Sequence, residues 1–252
     1  MRPLAPFLFL LIGIGLTGVA SLLAMPVEYL ATRPLPVSVA MLRALLLVQP
    51  AMLTIGAGLL GAALAPKIGL DAPAIRLASE RRSPLPVLVR QIGPAALVAV
   101  MIGFLLAAYG SALDASLSSL GSEAKARVSA MAAPVPVRVL YGGVTEEIIA
   151  RWGAMTLMVW TGWRLSGRPA KPSRATFWVG NLLAALAFAV GHLPILLAVM
   201  PEPSLSLLVL VVSANVLAGT AFGYLFWRHG LEASMFAHAL SHIVGLLLAR
   251  LL

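Results

Sequence analysis

The sequence predicts an all-α, polytopic transmembrane helix bundle of about seven spans (six to eight), and three observations carry that expectation. First, 60% of its 252 residues are hydrophobic and 11% are charged, with a mean hydropathy of +0.97. Soluble domains average about 45–50% apolar and about 25% charged residues. Second, several apolar runs reach the roughly 20 residues that a helix needs to cross a hydrocarbon core about 30 Å thick. Third, those runs lack the period-two alternation of a transmembrane barrel.

Residues 6–25 form the first expected span. Arg2 precedes it as in a secretory signal, but no small-residue cleavage site follows and further spans do, so it is expected to remain an uncleaved helix. The second, 40–64, carries Pro50 at its middle, where a kink or hairpin is tolerated if neighbours satisfy the freed carbonyl. Spans at 92–112, 137–161, 176–200, 205–227 and 231–252 complete the seven, separated by polar connectors at 66–90, 114–136 and 162–173. Gly219 and Gly223 form a GxxxG in the sixth span, read as close helix packing within the chain in preference to a dimer face. The chain divides into residues 1–136, transmembrane helices and polar loops without a motif, and 137–252, where all the candidate chemistry lies.

The net charge of +9 and pI near 11.1 would suggest nucleic acid in a soluble protein. Here the cations crowd into the connectors, which points to the membrane and away from nucleic acid. Eleven of them (Arg2, Lys67, Arg76, Arg81, Arg82, Arg90, Arg164, Arg168, Lys171, Arg174 and Arg228) fall on one side. Six (Arg33, Arg43, Lys125, Arg127, Arg138 and Arg250) fall on the other. Positive loops face the cytoplasm, so a cytoplasmic N-terminus is expected. The preference for Arg over Lys, with abundant Ala and Leu, points to a bacterial inner (plasma) membrane. Cysteine is absent, which excludes disulfides and thiolate metal sites.

Ionisable groups at membrane depth cost about 2.5–3.5 kcal/mol even on lenient scales and mark function or mutual pairing. In "VTEEIIARWG" (144–153), Glu147 and Arg151 stand at i,i+4 and are expected to pair on one helix face. Glu146, about 100° round an α-helix and roughly 15 Å into its span, is the carboxylate left to face a cavity. The plain alternative is a structural ion pair with a snorkelling glutamate. "FAVGHLP" (188–194) puts Phe188 and His192 at i,i+4, and "FAHALSHIV" (236–244) does the same for His238 and His242. A lone buried histidine is more often a hydrogen-bonded core residue, and a bare HxxxH is a weak signal. Together with a free glutamate, three histidines at membrane depth form a far more specific set.

These residues resemble the CPBP (ABI) family of intramembrane proteases, which includes the type II CAAX prenyl endopeptidases. The family pattern EExxxR, FxxxH, HxxxN/D reads here as Glu146-Glu147-xxx-Arg151, Phe188-xxx-His192 and His238-xxx-His242, departing at its last position. The resemblance implies an endopeptidase acting on a membrane-associated protein or peptide. Glu146 would be the general base, His192 would help to hold the water, and His238 and His242 would donate to the oxyanion. Glu147, Arg151 and Phe188 would play supporting parts.

By its residues, a buried carboxylate among apolar walls suits a base, and histidine can donate in place of asparagine. The family mechanism needs no cofactor. Spacing alone favours metal: His192, His238 and His242 could ligate zinc with Glu146 as base. Two further classes remain: a non-catalytic binding, immunity or regulatory protein that keeps the motif, and a proton-coupled transporter, against which stands the absence of an inverted repeat.

Overall fold

The computed structural model describes residues 4–26, 38–119, 122, 125–126, 129, 132–200 and 202–251, which form helices without any strand. Among the described residues six helices are long and apolar enough to cross a membrane: α1 (Leu4–Ser21), α2 (Val39–Ile68), α4 (Leu85–Ser119), α6 (Arg174–Gly191, continued by the short α7, Leu193–Val199), α8 (Leu205–His229) and α9 (Leu231–Leu251). The short α3 (Pro73–Ser79) occupies the expected connector between α2 and α4. Arg2, Arg33 and Arg127 of the charge count lie outside the described residues.

Local signals set the helix ends. Ser38, Ser173 and Ser204 cap α2, α6 and α8, each hydroxyl accepting a backbone N–H three residues on, at 3.1–3.3 Å. Gly69 ends α2 in the left-handed region (φ 77°), its N–H bonded to the Ala65 carbonyl. Pro50 does not divide α2. The helix runs through it, and the Thr54 hydroxyl takes up the Pro50 carbonyl at 2.7 Å.

The expected fourth span is the exception. Val137–Thr145 and Ile148–Met155 are wound as π-helix, joined through Glu146 and Glu147, and only Thr156–Leu165 (α5) is α-helical. Glycines let neighbours close on this segment. A Cβ at Gly143 would lie 2.7–2.8 Å from the Ala239 backbone of α9. One at Gly18 of α1 would overlap the Leu140 carbonyl.

The largest core cluster centres on Trp152, fully buried between Phe7 and Phe226 with ring centroids 5.6 and 6.2 Å away. Its indole N–H donates to the Gly58 carbonyl of α2 at 3.2 Å. The GxxxG of α8 packs on α6. A Cβ at Gly219 would lie 3.0 Å from that of Ala185, and one at Gly223 would overlap the Asn181 amide.

A buried polar knot fixes one end of the bundle. Glu232, in the first turn of α9, accepts the Ile75 N–H at 2.8 Å and the Gln91 amide at 3.3 Å. Gln91 also donates to the His229 carbonyl at 2.7 Å, and the Leu231 N–H to the Asp71 carbonyl at 3.1 Å. These bonds tie α3 and α4 to the start of α9, the helix that carries His238 and His242.

Candidate active site

π winding rearranges the glutamate pair. With i→i+5 bonding each residue advances roughly 80–85° in place of the α-helical 100°. The Glu146 N–H bonds to the Tyr141 carbonyl, five residues back, so these two side chains stand about 50° apart round the axis, against about 140° in an α-helix. Arg138, Tyr141, Gly142 and Glu146 consequently share one wall, which strict α-helical spacing would spread over a wider arc.

Glu147 turns into the bundle and is fully buried. Its Oε1 lies 3.1 Å from Arg151 Nη1, the pairing expected from the i,i+4 spacing. Arg151, 2% exposed, also donates from Nη2 to the Gly219 carbonyl at 3.0 Å. Its guanidinium carbon lies 4.8 Å from the Phe188 ring centre and 5.6 Å from that of Phe222, so aromatic faces take up part of the buried charge. The same Glu147 oxygen lies 2.8 Å from Nδ1 of His238. Glu147 therefore links the fourth span to the last, which spacing within one helix did not disclose.

Two imidazoles have their tautomers set by these contacts. A carboxylate only accepts, so Nδ1 of His238 carries the proton. Nδ1 of His192 likewise donates to the Phe188 carbonyl at 2.9 Å. In each neutral ring Nε2 is then a lone-pair acceptor. With its Nδ1 proton directed at Glu147, His238 can donate from Nε2 only as the imidazolium cation, whose charge Glu147 would balance. His242 has no hydrogen bond among the described residues, so its neutral ring is at liberty to carry the proton on Nε2.

The rings stack closely. His238 lies against Phe222 with centroids 4.5 Å apart and planes at 20°, and 5.0 Å from His242. Phe188 meets His192 edge-on at 4.6 Å. Nε2 of both His238 and His242 point towards Gly142, 3.9 and 3.1 Å from where a Cβ would stand.

Glu146, His192, His238 and His242 line one cavity of about 610 Å³, within the size range of ligand sites. Glu146 is half-buried and makes no hydrogen bond or ion pair among the described residues. The helices bring all four expected catalytic residues to this chamber, while Glu147 and Arg151 sit behind its wall. Residues of α4, α7 and α8, among them Asp114, Leu196 and Asn215, add to the lining, as does Met200 just beyond α7.

Among the described residues no set of three or more histidine, aspartate or glutamate side chains converges tightly enough to hold a metal ion. The Nδ1 atoms of His192 and His238 are already engaged.

Sequence reasoning passed over Phe222, Asn215, Tyr141 and Arg138, all in the lining. Asn215 was detectable as an amide in mid-span; it donates to the Val211 carbonyl at 2.9 Å. Phe222 gave no signal, since its role depends on how α8 is rotated against α9.

Residues 129–244 match the family model described as Type II CAAX prenyl endopeptidase Rce1-like. The match covers every residue from Glu146 to His242 and leaves α1 to α4 outside. No curated protein and no solved structure matches the chain.

Proposed function

We propose that this chain, whose residues 129–244 match the Rce1-like type II CAAX prenyl endopeptidase model, is a member of that family and hydrolyses a peptide bond of a membrane-associated substrate by glutamate-dependent activation of water. The observation that carries the reading is a half-buried carboxylate without a partner among the described residues, sharing one cavity with three imidazoles.

In this mechanism Glu146 removes a proton from water, and the Nε2 lone pair of neutral His192 holds that water for attack on the carbonyl. The oxyanion is met by Nε2–H of His242, which a neutral ring supplies, and by Nε2–H of His238 when it is the imidazolium held against Glu147. Glu146 then returns its proton to the leaving amine. Arg151 acts through Glu147, and Phe188 through its contacts with Arg151 and His192. No metal enters these steps.

The test uses protein purified in detergent and an internally quenched peptide ending in a farnesylated Cys-aliphatic-aliphatic-X sequence, the type of C-terminus prenylated on cysteine. Glu146→Gln is expected to lower kcat by about 10²–10⁴ with the unfolding midpoint unchanged. Full activity in that variant would overturn the reading. A second reading, a non-catalytic binding protein, is favoured by His242 at the family's Asn/Asp position. It predicts that Glu146→Ala retains the cellular phenotype.

A further inference from the structure

The proposed chemistry leaves the one cation of the cavity lining among the described residues without a task. Arg138 lines the same chamber and is the only lysine or arginine in its lining among the described residues. Its Nε–H is spent on the Ala133 carbonyl at 2.7 Å. That bond fixes the plane of the guanidinium, and the two Nη groups have no acceptor among the described residues. Asp114, which lines the same cavity, has its carboxylate 2.8 Å from Lys125. A pre-oriented guanidinium with its outer N–H groups available matches a carboxylate in fork geometry.

We propose that Arg138 is a specificity-determining anchor for the free C-terminal carboxylate of the substrate peptide; this rests on the hydrolase reading. Three features argue for it. Arg138 precedes Glu146 by eight residues on the π-wound segment, and at roughly 82° per residue the two differ by about 65° in direction, so both face the cavity. Gly142 lies midway between them and has no side chain, which keeps the wall open from one to the other. Their axial separation is at most about 12 Å at the α-helical rise. An extended chain covers that in about three residues at 3.3–3.6 Å each. A peptide held by its terminal carboxylate thus lays a bond near its end beside Glu146.

Two versions of the quenched farnesylated peptide, one ending in a free carboxylate and one in a carboxamide, separate this role from a structural one. The wild type is expected to prefer the acid by about tenfold to a hundredfold in kcat/KM, chiefly through KM, as charge-assisted hydrogen bonds allow. Arg138→Gln should lower the acid to the level of the amide and leave the amide unchanged, and Arg138→Lys should retain part of the preference. Equal cleavage of both peptides by the wild type overturns the proposal, as does an Arg138→Gln defect that strikes both alike. If adding anionic phospholipid to the micelles alters both peptides equally through Arg138, a lipid phosphate is the occupant and the proposal fails. The same preference is read as binding, by fluorescence anisotropy of both peptides with Glu146→Gln protein. A preference in binding without cleavage by the wild type keeps the anchor and removes the hydrolase reading; no preference in binding removes the anchor.

Discussion

Replacing Glu147 by Gln removes the carboxylate that balances Arg151 and fixes the tautomer of His238, while keeping the side-chain volume. The pair is 3.1 Å apart and its side chains are 0% and 2% exposed. At an effective dielectric constant near 20, Coulomb's law gives that separation about 5 kcal/mol, and breaking a buried pair by removing one partner costs about 3–5 kcal/mol. Glu147→Gln is therefore expected to destabilise the protein by about 3–5 kcal/mol and to lower kcat by about 10²–10⁴, as when a carboxylate no longer orients a catalytic histidine.

Reversible unfolding in mixed micelles, followed by tryptophan fluorescence, measures the first effect, because Trp152 is fully buried one residue from Arg151. The double variant Glu147→Leu/Arg151→Met separates the two effects. Apolar replacement of both charges should recover most of the stability, while activity stays lost because Nδ1 of His238 has no acceptor. A single variant within 1 kcal/mol of the wild type, or a double variant with full activity, would refute the argument that Glu147 joins the two helices through His238.

The remaining expectations concern the same cavity. Gly142→Ala sets a methyl group 3.1 Å from Nε2 of His242 and 3.9 Å from Nε2 of His238. It should cut kcat/KM at least tenfold, since the substrate carbonyl is displaced, with little change in the unfolding midpoint; unaltered kinetics would place the reacting carbonyl elsewhere. His242→Asn substitutes one neutral donor for another and should stay within about tenfold of wild-type kcat, whereas His242→Ala should lose about 10²–10³. If Asn proves as inactive as Ala, the ring has a task an amide cannot perform. Metal content of the purified protein would then show whether that task is ligation.

Hydropathy was enough to place six of the seven expected spans among the described residues, because crossing a bilayer demands only length and apolarity. The helical pairs were equally legible: Glu147 with Arg151 and Phe188 with His192 are neighbours on one helix, and backbone winding alone brings them together. Glu146, expected to be the carboxylate left free, has no hydrogen bond or ion pair among the described residues, but α-helical spacing is not what aims it. The direction it takes follows from i→i+5 winding, and no residue spacing announces a π-helix.

What tertiary structure alone decided are the contacts between helices. The bond from Glu147 to His238 spans 91 positions, and Phe222 and Arg138 join the cavity only because of how their segments are rotated and how deeply they are set. Sequence periodicity states which residues share a face of one helix. Which face meets which depends on close packing at glycines such as Gly143 and Gly219 and on the polar knot that seats the start of α9, and these are properties of the assembled bundle.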